Sequence, residues 1–276
     1  MSLACDYEGD VKVNAQNVNG AVADQANSGF DHGVFDLLLK EYVAETGLVD
    51  YDGFAKDRAN LDAYLDRIAK ADPAILSSQD ERNAFFINAY NAYTIRAVLD
   101  DVLGKTDSVK KVSGFWDKKK YRVAGEGLTL DSIEKVSRDY KDPRMHFAVN
   151  CASLGCPRLQ RFAFTGVKLQ EQFELITKDF LSDQQRGLRI DSAKNKVWIS
   201  RIFSWYAGDF TGDTSKFGFV KGFIKSKFTA SAGANFILEN GPAETVTYLK
   251  EKKPDVGYLE YDWTLNSLKP PVVTKK

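Results

Sequence analysis

The stretch Arg144-Met-His-Phe-Ala-Val-Asn-Cys-Ala-Ser-Leu-Gly-Cys-Pro157 decides how this chain reads. Its fourteen residues hold one of the two histidines and two of the three cysteines. Met145, Phe147 and Val149 alternate with Arg144, His146, Ala148 and Asn150, which is the period-two pattern of a half-buried strand. Such a strand carries a polar face toward Cys151 as the chain turns. A thiol, an imidazole and an amide on one ribbon are the materials of a nucleophilic site. The same sulfurs, Cys151 and Cys156, are also the materials of a small disulfide-stapled turn bent at Gly155 and Pro157.

Upstream of this ribbon the apolar spacing is helical. Val34, Leu37, Leu38 and Tyr42 mark one helix, and Leu61, Tyr64, Leu65 and Ile68 mark a second that Pro73 ends. Ser78-Gln-Asp-Glu81 is a capping box. The helix it opens, to about Leu99, is apolar on nearly every side and is therefore buried. Asn88, Asn91 and Thr94 run through it as a polar line. A buried carboxamide without a partner costs roughly 1–3 kcal/mol, so these groups are expected to bond something definite. Tyr121 to Leu130 reads as a hairpin turned at Gly125-Glu-Gly127, and Asp131-Ser-Ile-Glu134 as a helix start.

Downstream, Leu169, Phe173, Ile176 and Phe180 define an amphipathic helix. Leu188 and Ile190 face Val197 and Ile199 in a second hairpin. Ile202 to Phe210, Phe219 to Phe228 and Pro242 to Lys252 read as helices, and Val256 to Leu265 as a final strand. Helices precede hairpin strands, so the expected class is α+β, a helix-rich N-terminal half packed on an antiparallel sheet. The expected organisation is a poorly ordered arm over 1–30, a single domain over 31–269 and a flexible tail over 270–276.

Composition narrows the partners. The 276 residues carry 38 basic and 38 acidic side chains, a net charge of zero, which argues against nucleic acid as a partner. No apolar run approaches the ~20 residues of a membrane helix. No Gly-rich phosphate loop or nucleotide fingerprint is present, and no cofactor is expected. The Ala4-Cys5 junction is what remains when an export signal is removed. It predicts an exported protein, periplasmic or at the cell surface, with Cys5 as a candidate lipid-anchor site and as the odd cysteine.

The chemistry of the ribbon has competing readings. Cys151 is the candidate nucleophile, and a following helical turn would lower its pKa. On an extended strand, however, five residues separate His146 from Cys151 by about 16 Å, which argues against a direct couple. Asn88 or Asn91 on the buried helix is better placed to orient the imidazole. Arg144 is the candidate for a substrate carboxylate, with Asn150 and Tyr90 beside it as further substrate-binding candidates. In the competing reading Cys151 and Cys156 are bridged and the same residues form a satisfied core network. Zinc finds three ligands in His146, Cys151 and Cys156 but no fourth. Trp116, Trp205 and Trp263 read as core, and Glu134 as a carboxylate serving a helix N-terminus.

Five separated motifs carry a resemblance. Phe86-Ile-Asn-Ala-Tyr-Asn-Ala92, Leu130-Asp-Ser-Ile-Glu134, Asp142 to Pro157, Ile202-Phe-Ser-Trp-Tyr206 with Asp209-Phe210, and Tyr261-Asp-Trp-Thr-Leu-Asn266 resemble the domain-of-unknown-function family 547, in the same order. The resemblance carries no established activity. It implies export, as in bacterial members, or an interaction module, as in plant proteins where similar domains follow coiled coils. The motif order is also similar to that of papain-like and transglutaminase-like folds, in which the nucleophile opens the central helix. Here that helix opens with Ser77-Ser78-Gln79, so on this analogy the nucleophile has moved to Cys151 or the site is inactive. The expected function is a thiol-dependent amide or peptide hydrolase, with a non-catalytic binding module as the alternative. The substrate class (small molecule, peptide or protein) is left open.

Overall fold

The structure is a computed structural model that describes residues 29–211 and 233–269. Its class is α+β, with a helix rather than a sheet at the centre. α1 (Gly33–Tyr42), α2 (Tyr51–Lys56) and α3 (Arg58–Lys70) lead into α4 (Gln79–Asp101), a 23-residue helix whose middle is buried on every face. The Ser78 hydroxyl accepts the Glu81 N–H at 3.0 Å, as the capping box requires. The Glu81 carboxylate reaches back one residue further, to the backbone and hydroxyl of Ser77. α4 packs against α2, α3, α5 (Leu130–Arg138) and α6 (Leu169–Ser182).

Two small sheets flank this bundle. β1 (Tyr121–Val123) and β2 (Glu126–Leu128) form a hairpin that turns at Ala124 and Gly125, both at positive φ. Two left-handed residues are what a tight two-residue hairpin turn demands, which moves the turn one residue ahead of the expected one. β3 (Leu188–Asp191) and β4 (Lys196–Ile199) pair antiparallel with Leu188 opposite Ile199 and Ile190 opposite Val197, the expected register. β5 (Asp255–Tyr258) joins β4 in parallel, so this sheet is mixed and not purely hairpin-built. The chain between β4 and β5 includes α7 (Ile202–Trp205), α8 (Ala207–Thr211), α9 (Ala234–Asn240) and α10 (Ala243–Lys252), a connection long enough to allow a parallel return. The helix expected over Phe219 to Phe228 lies outside the described residues, as do Ala4 and Cys5.

The strand expected over Arg144 to Asn150 does not form. Pro143–Phe147 is a 3-10 helix, started by the Asp142 carboxylate accepting the Arg144 N–H at 2.9 Å. Pro143 at its first position needs no N–H partner and has a pre-set φ. Met145, His146 and Phe147 are all buried, because the segment is wedged among α5, α6 and the aromatic residues of α8 and α9. The alternation in the sequence therefore reflects no strand face. Phe30 and His32 are part of the core: Phe30 packs edge-on against Phe85 with ring centroids 5.0 Å apart, and His32 Nδ1 lies 2.7 Å from the Tyr64 hydroxyl.

Candidate active site

The 3-10 helix shortens the path between His146 and Cys151. After Phe147 the chain folds back through Asn150 and Ala152, which takes φ +62°. The Asn150 side chain makes this turn, its Oδ1 accepting the Ala152 N–H at 2.9 Å and its Nδ2 donating to Pro157 O at 2.8 Å. Asn266 Nδ2 reaches the same Oδ1 at 3.2 Å, and Tyr51 donates to Asn266 Oδ1 at 2.7 Å. With the turn fixed, His146 and Cys151 line one cavity of about 190 Å3. The extended-strand separation does not apply, because the intervening residues are coiled.

The cavity wall is strongly aromatic. Tyr90, Trp116, Trp205, Tyr206, Tyr261 and Trp263 contribute to it, along with Glu134 and Asp131. Trp205, read from sequence as core, is 46% exposed at the mouth. Tyr261 bridges Trp205 and Trp263, with ring centroids 4.8 and 4.6 Å away. Tyr90 is only 2% exposed, and its hydroxyl has no protein partner among the described residues.

Cys151 and Cys156 are free thiols, so the staple of the competing reading is not formed. The Cys151 N–H lies 3.0 Å from Cys156 Sγ. Cys151 Sγ lies 3.1 Å from Ser153 Oγ and 3.2 Å from Tyr261 Oη. Hydrogen bonding from the Cys156 thiol, resisted by burial and reinforced by Ser153 and Tyr261, lowers the Cys151 thiol to about 7. The pair divides unequally: burial and the neighbouring sulfur push Cys156 well up, so it keeps its proton and serves as donor. Burial also pushes the Tyr261 hydroxyl up, leaving it a donor to the thiolate.

A close backbone contact holds Tyr261 there. Ser153 bridges Leu265, and Gly155 donates to Asp262 O at 2.8 Å. A Cβ on Gly155 would lie 2.7 Å from the Asp262 nitrogen and 3.0 Å from the Tyr261 ring, so only glycine permits this approach.

His146 is 3% exposed, and burial drives its pKa down to about 4 against the pull of Asp209. It is neutral at pH 7. Its Nε2 lies 2.8 Å from Asp209 Oδ2, which Arg138 also holds through its Nε at 2.9 Å and its Nη2 at 2.8 Å. An ionised carboxylate only accepts, so Nε2 carries the ring proton and Nδ1 presents the lone pair. Tyr206 stacks on the imidazole at 4.0 Å and donates to Glu134 Oε1 at 3.0 Å. Burial, the largest influence on Glu134, raises its carboxyl against that hydrogen bond.

The orienting partner expected from Asn88 or Asn91 is thus Asp209, from α8. The two amides serve main chain instead. Asn91 Nδ2 donates to Ala148 O at 2.9 Å while its Oδ1 accepts from Asn150 N at 2.8 Å. Asn88 holds Phe164 by its N–H and C=O at 3.0 and 2.7 Å. Thr94 Oγ1, third in the polar line, is buried without a protein partner among the described residues. Arg144, expected to meet a substrate carboxylate, is committed to Asp142 through its Nε and Nη2, to Gln170 and to the face of Phe173. Of the substrate-binding candidates, Tyr90 lines the cavity, whereas Asn150 shapes the turn. Asp209 was legible only as part of the Asp209-Phe210 motif, and nothing in its spacing points to His146. No group of three or more His, Cys, Asp and Glu that could hold a metal ion occurs among the described residues.

Fold and site together define an α+β domain with a low-pKa thiol and a carboxylate-anchored imidazole on one aromatic cavity. Residues 74–181 match the model of the family described as "Protein of unknown function, DUF547", so the resemblance seen in the sequence holds over that segment. The match takes in His146, Cys151 and Cys156, while Tyr206, Asp209 and Tyr261 lie beyond it. No curated protein and no solved structure matches the chain. The likeness to papain-like and transglutaminase-like folds therefore rests on motif order alone.

Proposed function

We propose that the protein is a thiol-dependent acyl-transfer enzyme, an amide or peptide hydrolase of the cell envelope. One observation carries the reading: Cys151, its thiol lowered to about 7, shares a cavity with a neutral His146 whose free nitrogen is fixed by Asp209. A thiolate held by hydrogen bonds needs no imidazolium partner, and His146 is then available as base and acid. Cys151 attacks the carbonyl carbon and forms a C–S bond. The acyl–nitrogen bond breaks, and the leaving amine takes the proton that the Cys151 thiol gave up to His146 Nδ1 on ionising. Water, deprotonated at Nδ1, attacks the thioester; the C–S bond breaks and the thiolate returns. The Tyr90 hydroxyl is free to donate to the developing oxyanion. The envelope location rests on the export that the family resemblance implies.

The test is acylation by p-nitrophenyl acetate, followed by intact mass and peptide mapping. One acetyl group on Cys151 and a burst of nitrophenolate are expected, both absent in Cys151→Ser. Equal nitrophenolate release from that variant would overturn the proposal.

A further inference from the structure

The cavity is a binding site with a definite charge preference. Among the described residues its charged lining consists of Glu134 and Asp131, with no lysine or arginine. Arg138 lies over Tyr206 at 4.9 Å while paired to Asp209, and with Lys135 and Lys141 it lines a neighbouring depression of about 510 Å3 that Asp131 and Glu134 also border. Trp116, Trp263, Tyr261 and Trp205 form a continuous run of rings, with Trp116 and Trp263 6.0 Å apart and Trp205 and Trp263 5.9 Å apart. Lys110 Nζ rests 4.9 Å from the Trp263 centroid, so the chain already lays one of its own ammonium groups on this wall. Aromatic faces attract cations through the ring quadrupole, and more strongly where water is excluded. The Glu134 carboxylate accepts only from Tyr206 among the described residues, which leaves its second oxygen to pair with a ligand cation. Tyr90, itself buried, lines the same space.

We propose that this cavity seats an ammonium group between the Trp116–Trp205–Trp263 wall and Glu134, and so selects acyl substrates bearing a cationic amine beside the scissile bond. At about 190 Å3 it is smaller than the ~300–1,000 Å3 clefts that take drug-sized ligands, and fits a short amine-bearing group. The substrate class rests on the thiol reading for the position of the reacting carbonyl. The ammonium seat itself rests on the cavity alone.

The experiment separates the two. Choline, its neutral carbon isostere 3,3-dimethylbutan-1-ol and the anion 3,3-dimethylbutanoate are titrated at constant ionic strength into the Cys151→Ser protein. Tryptophan fluorescence and calorimetry report binding. Choline should bind at least fivefold more tightly than the alcohol, and the anion should not saturate. Glu134→Gln should lower choline affinity at least fivefold while leaving the alcohol unchanged, and Trp205→Phe should retain choline binding better than Trp205→Ala. A choline-to-alcohol ratio below fivefold, or saturable binding of the anion, overturns the ammonium seat. Choline binding alongside an unreactive Cys151 in the wild-type protein would keep the seat and remove the acyl-transfer reading. A reactive Cys151 without choline preference would do the reverse.

Discussion

Asp209 Oδ2 lies 2.8 Å from His146 Nε2, and this contact sets which ring nitrogen can act as a base. The two residues are 63 positions apart and come from different helical segments. Because the imidazole is buried and neutral at pH 7, one hydrogen bond fixes its tautomer.

Asp209→Asn should scramble that tautomer, since an amide can present N–H to Nε2. Nitrophenyl acetate turnover is expected to fall about a hundredfold or more, by the logic of orienting carboxylates in catalytic triads. Nitrogen NMR of the ring should show Nδ1 unprotonated in the wild type and a mixed signal in the variant. Unchanged turnover and an unchanged ring signal would remove Asp209 from the site.

Alkylation of Cys151 by iodoacetamide should rise with pH through an inflection near 7, where the thiol ionises. Cys156 should stay unlabelled, its thiol held up by burial. Cys156→Ala deletes the largest stabiliser of the Cys151 thiolate, so the inflection should move up toward the ordinary thiol value of about 8.5. Peptide mapping of label against pH gives the answer, and coincident profiles for the two proteins would refute the role of Cys156.

Gly155→Val should act through Tyr261. The added side chain meets the Asp262 backbone and the Tyr261 ring, so the phenol is pushed from the sulfur it now lies 3.2 Å from. A raised Cys151 inflection is expected, together with stability lowered by about 1–3 kcal/mol, the usual range for overpacking. Urea denaturation and the alkylation profile read the two effects separately.

Asn91→Leu should leave the Ala148 carbonyl and the Asn150 N–H buried without their present partner. The expected destabilisation is about 1–3 kcal/mol by urea denaturation. Asn88→Leu should behave alike through Phe164. A change under about 0.5 kcal/mol in both would show that these amides are dispensable to the fold.

Stability should fall as the solution is acidified from pH 7 to 5. His146 and His32 are held down by burial to about 4 and about 3 in the folded chain, against about 6.5 when unfolded. A depressed basic group contributes stability that is complete above the unfolded pKa. That contribution is lost as pH falls through the window down to the folded value, because only the unfolded chain binds the proton. Each histidine should cost about 1.4 kcal/mol per pH unit within that window, while Glu134, raised in the folded state, works in the opposite direction. Chemical denaturation at several pH values checks the slope, and His32→Gln should reduce it. A flat profile would contradict the neutral burial of both rings.

The order of elements and several of their ends could be read in the sequence because they depend on near neighbours. The Ser78 cap, the all-round burial of α4 and the Leu188–Ile199 register follow from spacing and hydrogen-bonding capacity alone. The strand read at Arg144 failed because alternating polarity in a short segment also fits a 3-10 helix wedged between helices, and Pro143 with its Asp142 cap favoured the helix. Asn88 and Asn91 were correctly expected to find definite partners, but which partners they find depends on the path of the chain between Phe147 and Phe164.

The sequence by itself determined the α+β class, the central helix and the gathering of His146, Cys151 and Cys156 in one short stretch. Tertiary structure alone decided that Asp209 meets the imidazole, that Tyr261 meets the sulfur and that aromatic residues from separate segments line one cavity. Local elements are set by interactions a few residues long. A site whose sulfur and phenol lie 110 residues apart is set by how buried surfaces close on one another, which no local pattern encodes.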